Sequence, residues 1–594
     1  MHAPLRPFLA AALLGAGGAF AALSGQAPPP APQSFAGRYA TAVTLRDNDC
    51  GPVTVQSMPT TVRHAAGDTA LAITHGPLTY DGVVRADGSF RMRPLSLPPD
   101  GGVITTITIN GRIAGGRLSA AVRVDVGRGP PCHYTVDWSG TREPDANSDQ
   151  RGTRSAAPAA APPAALDLTP PAPAIYAITG ATVIPMDRER ILRGHTVLVR
   201  EGRIAGLGPD GRVRIPAGAT RIDARGKFLL PGLADMHVHL LDRSELLAYA
   251  ANGITTVLNL HGLDRHLAWR DSLDRGLLLG PRLFTSGPIV DGDPPTRRTN
   301  LVVTSAAQAE SVVVAQKAAG FDFLKIYDNV PPDLYRVLAA TAKRAGLPMV
   351  GHLPTPVGLD GFLEVQGQVG LEHVEELLPF FRDGRDTAGV GRLAATLAAN
   401  GVWVTPTVTV HASYLAQSRD WAAVRARPAM RFVRPATAEM WGWEPTGSGN
   451  DGNAAARERF GRTVGFFERA LIPALHRAGV RLLAGTDAPI ATIIPGFALA
   501  GEIETLHRSG LSRYEALRAA TSGPAEFLGR RGEFGMIAPG ASADLLLLDA
   551  DPLAGLATLE RPRGVMVRGS WLSREWLDAA LERLVASYGE PASR

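Results

Sequence analysis

The sequence predicts an α/β protein built on a (β/α)8 TIM barrel, with a small flanking β-sandwich and a separate N-terminal all-β domain. Residues 229–534 alternate short apolar runs with helical stretches, which is typical of a parallel sheet. Two β-rich pieces, residues 174–228 and 535–575, bracket that region, whereas residues 34–142 show only strand patterns. A chain of 594 residues is too long for one ordinary domain, and its 45% hydrophobic content is typical of globular proteins.

Residues 1–27 are predicted to be a secretion signal. Arg6 gives the segment a positive start, an apolar and alanine-rich run covers residues 8–23, and small residues then offer cleavage after Ala21 or Ala27. A membrane anchor is the alternative, but the run is short and glycine-rich for a stable span. We therefore expect an exported protein, periplasmic or secreted, with no stable membrane span after cleavage.

The domain at residues 34–142 is predicted to be a small sandwich or partial barrel. Its β-rich runs are residues 53–56, 70–74, 103–109 and 121–126. Its predicted turns are Asp81-Gly82, Asp87-Gly88, Asn110-Gly111 and Gly115-Gly116. Cys50 and Cys132 are the only two cysteines, and in an oxidising compartment they should form a disulfide rather than remain two buried thiols. Closing a loop of this length contributes about 4 to 5 kcal/mol in the chain-entropy account.

Residues 143–173 are predicted to be a linker, because their Ala/Pro-rich composition cannot build a core. The flanking pieces at residues 174–228 and 535–575 should combine into one small β-unit. Residues 576–594 are predicted to form a C-terminal helix and tail.

Eight strands are predicted for the barrel. They begin with the stretch from Phe228 to His239, interpreted as one buried strand with a tight Pro231-Gly232 bend. The other seven are residues 253–260, 282–287, 321–327, 349–352, 370–373, 402–408 and 481–487. Helices are expected between them, for example over residues 306–319 and 332–344.

Polar side chains end five of these strands. His237 and His239 end the first strand, two residues apart, so that both can face one metal ion. The others are Lys325 on the fourth strand, His352 on the fifth, His373 on the sixth and Asp487 on the eighth. Each alone has a structural explanation, such as a satisfied core histidine or a capping aspartate. Barrel enzymes place their catalytic groups at this mouth, and six such residues gathered there indicate a metal centre.

The residues that carry this pattern resemble the amidohydrolase superfamily, in its imidazolonepropionase-like and prolidase-like branch. The matching motifs are Pro231-Gly-Leu-Ala-Asp-Met-His-Val-His239, Phe323-Leu-Lys-Ile326, Gly351-His352, Glu372-His373, Gly485-Thr-Asp487, Glu515-Ala-Leu-Arg-Ala-Ala-Thr521 and Pro539-Gly-Ala-Ser-Ala-Asp544. The resemblance covers residues 175–572 and implies two divalent metal ions, zinc being the first expectation. Relatives often assemble, so a homo-oligomer is among the expectations.

The resemblance also implies residue roles. His237, His239 and Asp487 would bind the more buried ion, and His352 and His373 the second. Lys325 would be carboxylated on its amine and bridge the two ions, which suits a lysine on an apolar strand in a chain with only four lysines. A salt bridge from Lys325 to Asp322 or Asp328 is the alternative.

The resemblance implies hydrolysis of an amide or peptide C–N bond in a small substrate, a dipeptide or an N-acyl amino acid. Hydroxide generated between the two ions would attack, and Asp487 would act as general base and then acid. Hydrolysis of a lactone, cyclic amide or phosphoester on the same ions is one alternative. A non-catalytic binding scaffold is another, and a deaminase with a single metal is disfavoured by Lys325.

Three further residues at strand ends are candidates for contacting substrate: His261, Tyr327 and His411. Residues 431–453, with two tryptophans amid Gly and Pro, are expected to form a lid or a partner-contacting loop. The net charge of +5 is small for this length, and no dense basic run with aromatics is present, so nucleic acid binding is not predicted.

Overall fold

The structure is a computed structural model of the chain. It describes residues 34–50, 57, 59–64, 68–75, 78–93, 95–97, 104–127, 132–143, 166–172, 174–297, 299–441, 452–490 and 492–588. The predicted signal at residues 1–27, the predicted strand at residues 53–56 and most of the predicted linker lie outside these ranges. The chain divides into two compact units, residues 1–154 and 155–594.

The first unit consists of antiparallel strands. They are β1 Gly37–Asn48, β2 Thr60–Arg63, β3 Ala70–His75, β4 Leu78–Val84, β5 Ser89–Met92, β6 Leu95–Leu97, β7 Ile104–Ala114, β8 Arg117–Gly127 and β9 Cys132–Arg142. Consecutive strands pair with each other from β1 to β5 and again from β7 to β9. In addition, β9 pairs with β1, and β5 pairs with β7. Eight strands therefore close into a barrel, with β6 added at β7, and the all-β prediction is confirmed.

The interior of this barrel is apolar, with Tyr39, Ile73, Ile109 and Trp138 among its buried side chains. Along β3 buried side chains alternate with more exposed ones, as expected for a strand with one face inward. The predicted disulfide joins Cys50, just after β1, to Cys132 at the start of β9.

Two of the four predicted turns are wrong. Asp81-Gly82 lies inside β4 and Asn110-Gly111 inside β7, whereas Asp87-Gly88 and Gly115-Gly116 do form turns. Both misassigned glycines pair with β5, where the barrel closes. A Cβ on Gly82 would lie 2.3 Å from the carbonyl oxygen of Arg91 on β5. Glycine is used here because strands approach closely at the closure, not because the chain reverses.

In the second unit, five strands precede the large barrel: β10 Tyr176–Val183, β11 Leu192–Arg200, β12 Arg203–Pro209, β13 Thr220–Asp223 and β14 Phe228–Pro231. The barrel region contains β15 Leu233–Val238, β16 Ile254–Asn259, β17 Arg282–Thr285, β18 Val290–Asp291, β19 Leu301–Val302, β20 Leu324–Ile326, β21 Met349–Gly351, β22 Gln368–Glu372, β23 Trp403–Thr405 and β24 Arg481–Leu482. Three more strands follow: β25 Leu545–Leu548, β26 Gly564–Val567 and β27 Ser570–Ser573.

Helices α1 to α14 lie within the barrel region. They are α1 Glu245–Ala251, α2 Asp264–Asp274, α3 Ala306–Ala319, α4 Pro332–Ala345, α5 Gly358–Val365, α6 Val390–Ala399, α7 Val408–Arg419, α8 Trp421–Arg425, α9 Pro435–Met440, α10 Ala454–Phe466, α11 Ile472–Arg477, α12 Leu499–Arg508, α13 Arg513–Arg518 and α14 Ser522–Phe527. The last helix, α15, covers Arg574–Ala586. None of the described helices combines the length and apolar character needed to cross a membrane.

The predicted (β/α)8 barrel is present. Its eight strands are β15, β16, β17, β20, β21, β22, β23 and β24, and every neighbouring pair along the two ladders is parallel. The ladders join at two places, where Met236 N donates to Ala484 O at 2.9 Å and Gly287 N donates to Phe323 O at 3.1 Å. Strands β18 and β19 are additions in the connection that follows β17.

The stretch from Phe228 to His239 is two strands, not the single strand predicted. Strand β14 belongs to the flanking sheet, where it pairs with β10 and β25, and β15 begins the barrel. Gly232 lies between them, and a Cβ there would be 2.1 Å from Thr255 Oγ1. Only glycine lets the chain pass this close to β16 as it crosses from one sheet to the other.

The flanking sheet has the order β12-β11-β10-β14-β25-β26-β27, with β13 also on β10. It thus draws strands from both sides of the barrel, as expected from the sequence. Residues 166–172, at the end of the predicted linker, pack against the second unit. Leu168 is buried in the hydrophobic core of that unit, and its carbonyl oxygen accepts a hydrogen bond from Leu279 N at 2.6 Å.

Candidate metal centre

Three side chains meet at the point where β15 and the segment after β24 run side by side. Asp487 Oδ1 lies 2.9 Å from His239 Nε2 and 3.4 Å from His237 Nε2. His237 is fully buried, Asp487 nearly so, and His239 partly exposed. One ligand atom from each lies within 4.8 Å of the others, so this group can hold a single metal ion.

His352 and His373 continue the cluster. The ring of His373 lies 4.4 Å from that of His237 and 4.8 Å from that of His352, measured between centroids. His373 Nδ1 lies 2.7 Å from Thr407 Oγ1. His352 Nδ1 lies 2.5 Å from Asp328 Oδ1 and is also close to Glu376. Since each Nδ1 is occupied, each ring has its Nε2 left to offer a metal.

Lys325 is 1% exposed on β20, and its Nζ has no hydrogen-bond partner among the described residues. Burial lowers the pKa of its amine, although the charges of Glu372 and Asp487 oppose this. The alternative salt bridges are not formed, because Asp322 pairs with Arg270 at 2.8 Å and Asp328 with His352. Lys325 thus presents an unpaired amine beside the histidine cluster.

Glu372 was not singled out from the sequence as a functional residue. Its Oε2 lies 2.8 Å from His237 Nδ1, and the side chain is 1% exposed. Burial raises its pKa to about 7. The signal that could have found it is its place beside His373 at the end of β22, in the acidic run Glu372-His-Val-Glu-Glu376.

The three candidate substrate-contacting residues lie near this cluster. The ring of His261 is 6.3 Å from that of His239, and the ring of Tyr327 is 4.0 Å from that of His352. His411 lies in the first turns of α7, with its Nδ1 4.0 Å from Glu375 Oε2. Burial lowers the pKa of His261 and of His411 to about 4, so both rings are neutral near pH 7.

The predicted lid segment packs beside Asp487 in the part that the structure describes. Trp441, just after α9, donates from Nε1 to the carbonyl of Pro489 at 2.7 Å. Just before this segment, Arg427 donates to the carbonyl of Thr492 at 2.7 Å. Residues 442–451 of this segment, including Trp443, lie outside the described residues.

The cluster fits divalent cations. Its buried atoms without a hydrogen-bond partner among the described residues include His237 Nε2, His352 Nε2 and Lys325 Nζ. Leaving such atoms unpaired is costly, and imidazole nitrogen with carboxylate oxygen is a donor set that zinc and related ions accept.

The profile of the Amidohydrolase family matches residues 228–572, more than half of the chain, and this range includes all six residues of the cluster. The chain belongs to the amidohydrolase family. Imidazolonepropionase of Mycolicibacterium smegmatis is 28% identical over 395 residues, which are 61% of this chain and 85% of that protein. A crystal structure from Bifidobacterium longum, provisionally assigned as a prolidase, is 26% identical with a TM-score of 0.53 and covers 70% of this chain and 100% of that chain.

The predicted branch of the amidohydrolases, imidazolonepropionase-like and prolidase-like, is confirmed by these relatives. Adenine deaminase of Ruegeria sp. (strain TM1040) is 27% identical over 217 residues, which are 34% of this chain and only 35% of that protein. The family and its relatives assign the barrel to the hydrolases that act on carbon–nitrogen bonds.

Proposed function

We propose that this protein is an exported amidohydrolase that uses two divalent ions to cleave an amide or peptide C–N bond in a small substrate. Dipeptides and N-acyl amino acids are the proposed substrate class. One observation carries the proposal: His237, His239 and Asp487 lie close enough to share one ion, and the rings of His373 and His352 adjoin them. Lys325 adds support, because it is buried on β20 and its Nζ has no hydrogen-bond partner among the described residues.

The residues would divide between two ions, with zinc as the proposed metal. His237, His239 and Asp487 would hold one ion, a role supported by their mutual distances. His352 and His373 would hold the other. Lys325 would be carboxylated on Nζ, because burial favours its neutral amine, the form that reacts with carbon dioxide. The carbamate would then contribute anionic oxygen to both ions.

The bound ions would supply Lewis acidity, lowering the pKa of a water and polarising the scissile carbonyl. Asp487 is the proposed proton carrier. Burial opposes its charge, but its contacts with His237, His239 and His373 hold its pKa below the usual range. Asp487 is therefore ionised at neutral pH, which is the form that a proton carrier needs in order to accept a proton and pass it to the leaving nitrogen.

Export is part of the proposal. The N-terminal charge and apolar run support it, and so does the disulfide between Cys50 and Cys132, since such bonds persist in oxidising compartments.

The test measures amine release from a panel of dipeptides and N-acyl amino acids by metal-loaded protein, with and without a chelator. We expect release that the chelator abolishes, and a loss of at least about 10³-fold in kcat for Asp487→Asn. Asp271→Asn is the matched control, because Asp271 lies on α2, is exposed and forms an ion pair with Arg275. Metal analysis should find about two ions per chain. Metal-loaded protein that releases no amine from any amide would refute the proposal.

A further inference from the structure

Arg297 is a cation in the loop between β18 and β19, at the barrel mouth. Its Nε donates to Tyr327 Oη at 3.1 Å. Among the residues that the structure describes, no carboxylate oxygen is recorded within 4.0 Å of its guanidinium, and its side chain is exposed. The edge formed by its two Nη atoms can bind a carboxylate in bidentate fashion, and no carboxylate of the described residues occupies it.

The loop that carries Arg297 is fixed by a buried carboxylate. Asp291, at the end of β18, is 0% exposed and accepts four hydrogen bonds. Its Oδ2 accepts from Thr296 N at 2.8 Å and from Asn300 Nδ2 at 2.9 Å, and its Oδ1 accepts from Gly292 N and Asn329 N at 2.9 Å each. These bonds tie the residue before Arg297 to the chain that follows β20. Arg297 is thus presented from an ordered support.

Tyr327 connects this arginine to the metal centre. Its ring lies 4.0 Å from that of His352, and its hydroxyl accepts from Arg297. A group bound by Arg297 therefore lies beside the proposed reaction centre and not on a remote surface.

We propose that Arg297 binds the free carboxylate of the substrate and makes the enzyme selective for amides of α-amino acids over uncharged amides. The inference rests on the proposed function of the metal centre and names the residue that would recognise the proposed substrates. In a dipeptide or an N-acyl amino acid, the carboxylate is attached to the carbon that bears the scissile nitrogen. An arginine next to the metal centre can therefore bind a carboxylate that lies so close to the scissile bond.

The experiment compares each N-acetyl amino acid with its decarboxylated counterpart, for example N-acetylalanine with N-ethylacetamide. We expect wild-type kcat/KM to be higher for the acid. Arg297→Gln should lower kcat/KM for the acid by about 10- to 100-fold more than for the decarboxylated amide, the range of a hydrogen bond to a charged group. For the acid, kcat/KM of Arg297→Lys should lie between the values of the wild type and of Arg297→Gln. Lysine keeps the positive charge but lacks the planar guanidinium that binds a carboxylate through two nitrogens. Arg336→Gln on α4 controls for the lost charge, since Arg336 is exposed and pairs with Glu364.

A second measurement separates this inference from the proposed function. Isothermal titration of N-acetylalanine into metal-loaded Asp487→Asn protein, with and without Arg297→Gln, reports binding without turnover. Binding that depends on Arg297 supports the carboxylate site even if no amide is cleaved, which would refute only the proposed function. Equal turnover of acid and decarboxylated amide, or equal loss for both in Arg297→Gln, would overturn the carboxylate site and leave amide hydrolysis standing.

Discussion

Three residues of the metal centre or its support have left-handed backbone although none is glycine. The φ angles are 69° at His373, 49° at Thr407 and 59° at Asp487. Such conformations cost on the order of 1 to 3 kcal/mol each and persist only where the surroundings impose them. Here Asp487 N donates to His237 O at 2.8 Å and His373 N donates to Thr405 O at 2.9 Å. The local strain turns both side chains toward the same cluster.

Polar partners behind the histidines fix which ring nitrogen is presented. Glu372 lies at Nδ1 of His237, Thr407 at Nδ1 of His373, and Asp328 at Nδ1 of His352. A carboxylate at this position orients the ring and makes the opposite nitrogen a better ligand.

Glu372→Gln should weaken metal binding by about 10- to 100-fold, because the neutral amide can accept from His237 but cannot match a carboxylate. Chelator titration of the loaded protein, followed by metal analysis, measures the change. Glu364→Gln is the control, since Glu364 is exposed and pairs only with Arg336 among the described residues. Equal metal retention in both variants would show that Glu372 does not support the site.

The ligand candidates could be predicted from the sequence, whereas their partners could not. His237 and Asp487 each end an apolar run, and that pattern is local. Glu372 contacts His237, which is 135 positions away in the sequence. Arg297 contacts Tyr327 because the loop that carries Arg297 folds back toward the end of β20. Such contacts depend on the closed barrel, for which a single sequence holds no local signal.

At the scale of elements, Gly232 controls how two sheets join. Strand β14 ends and β15 begins around this residue, which passes against Thr255 at the start of β16. A strand pattern in the sequence does not reveal a change of sheet, because both segments are apolar and buried.

Gly232→Ala should destabilise the second unit by about 1 to 3 kcal/mol, the usual cost of overpacking. The added Cβ would meet Oγ1, Cγ2 and Cβ of Thr255 at 2.1 to 2.8 Å. Thr255→Ala removes two of these three atoms, so the same glycine substitution should cost less in that background. Urea unfolding of the wild type, the two single variants and the double variant measures the coupling.

Gly206→Ala on β12 is the matched control, because its Cβ would meet only ordinary contacts at 3.5 Å and beyond. A Gly232→Ala cost that is identical with and without the Thr255→Ala substitution would place the strain elsewhere.

At the scale of the whole molecule, buried charges make stability depend on pH in two directions. Among the described residues, burial raises the pKa of six carboxyl groups, to about 7 for Asp235, Glu245, Glu372 and Glu502, to about 8 for Glu375, and in the same direction for Asp322. Burial lowers the pKa of six histidines, namely His75, His237, His261, His266, His373 and His411. The carboxyl groups act alone above about pH 6.5, and both sets act below it.

We expect the stability of the metal-free protein to rise as the pH falls from about 8 to 6.5 and then to level off. Between about pH 8 and 6.5 the folded carboxyl groups bind protons that the unfolded chain does not, so stability rises as the pH falls. Below about 6.5 the unfolded histidines bind protons more readily than the folded ones, and this loss opposes the continuing gain from the carboxyl groups. Thermal unfolding of chelated protein across this range is the measurement. A Tm that climbs steadily from pH 5 to 9 would contradict the expectation.

The flanking sheet has a consequence for how the chain is made. Phe228 on β14 pairs with Leu548 on β25, so the sheet is completed only after β25 has been synthesised. Until then β10 to β14 are an unfinished sheet whose open side can pair with another nascent chain. Contacts so distant in sequence also slow folding. Production of this protein therefore depends on keeping β10 to β14 apart from other nascent chains until β25 to β27 have left the ribosome.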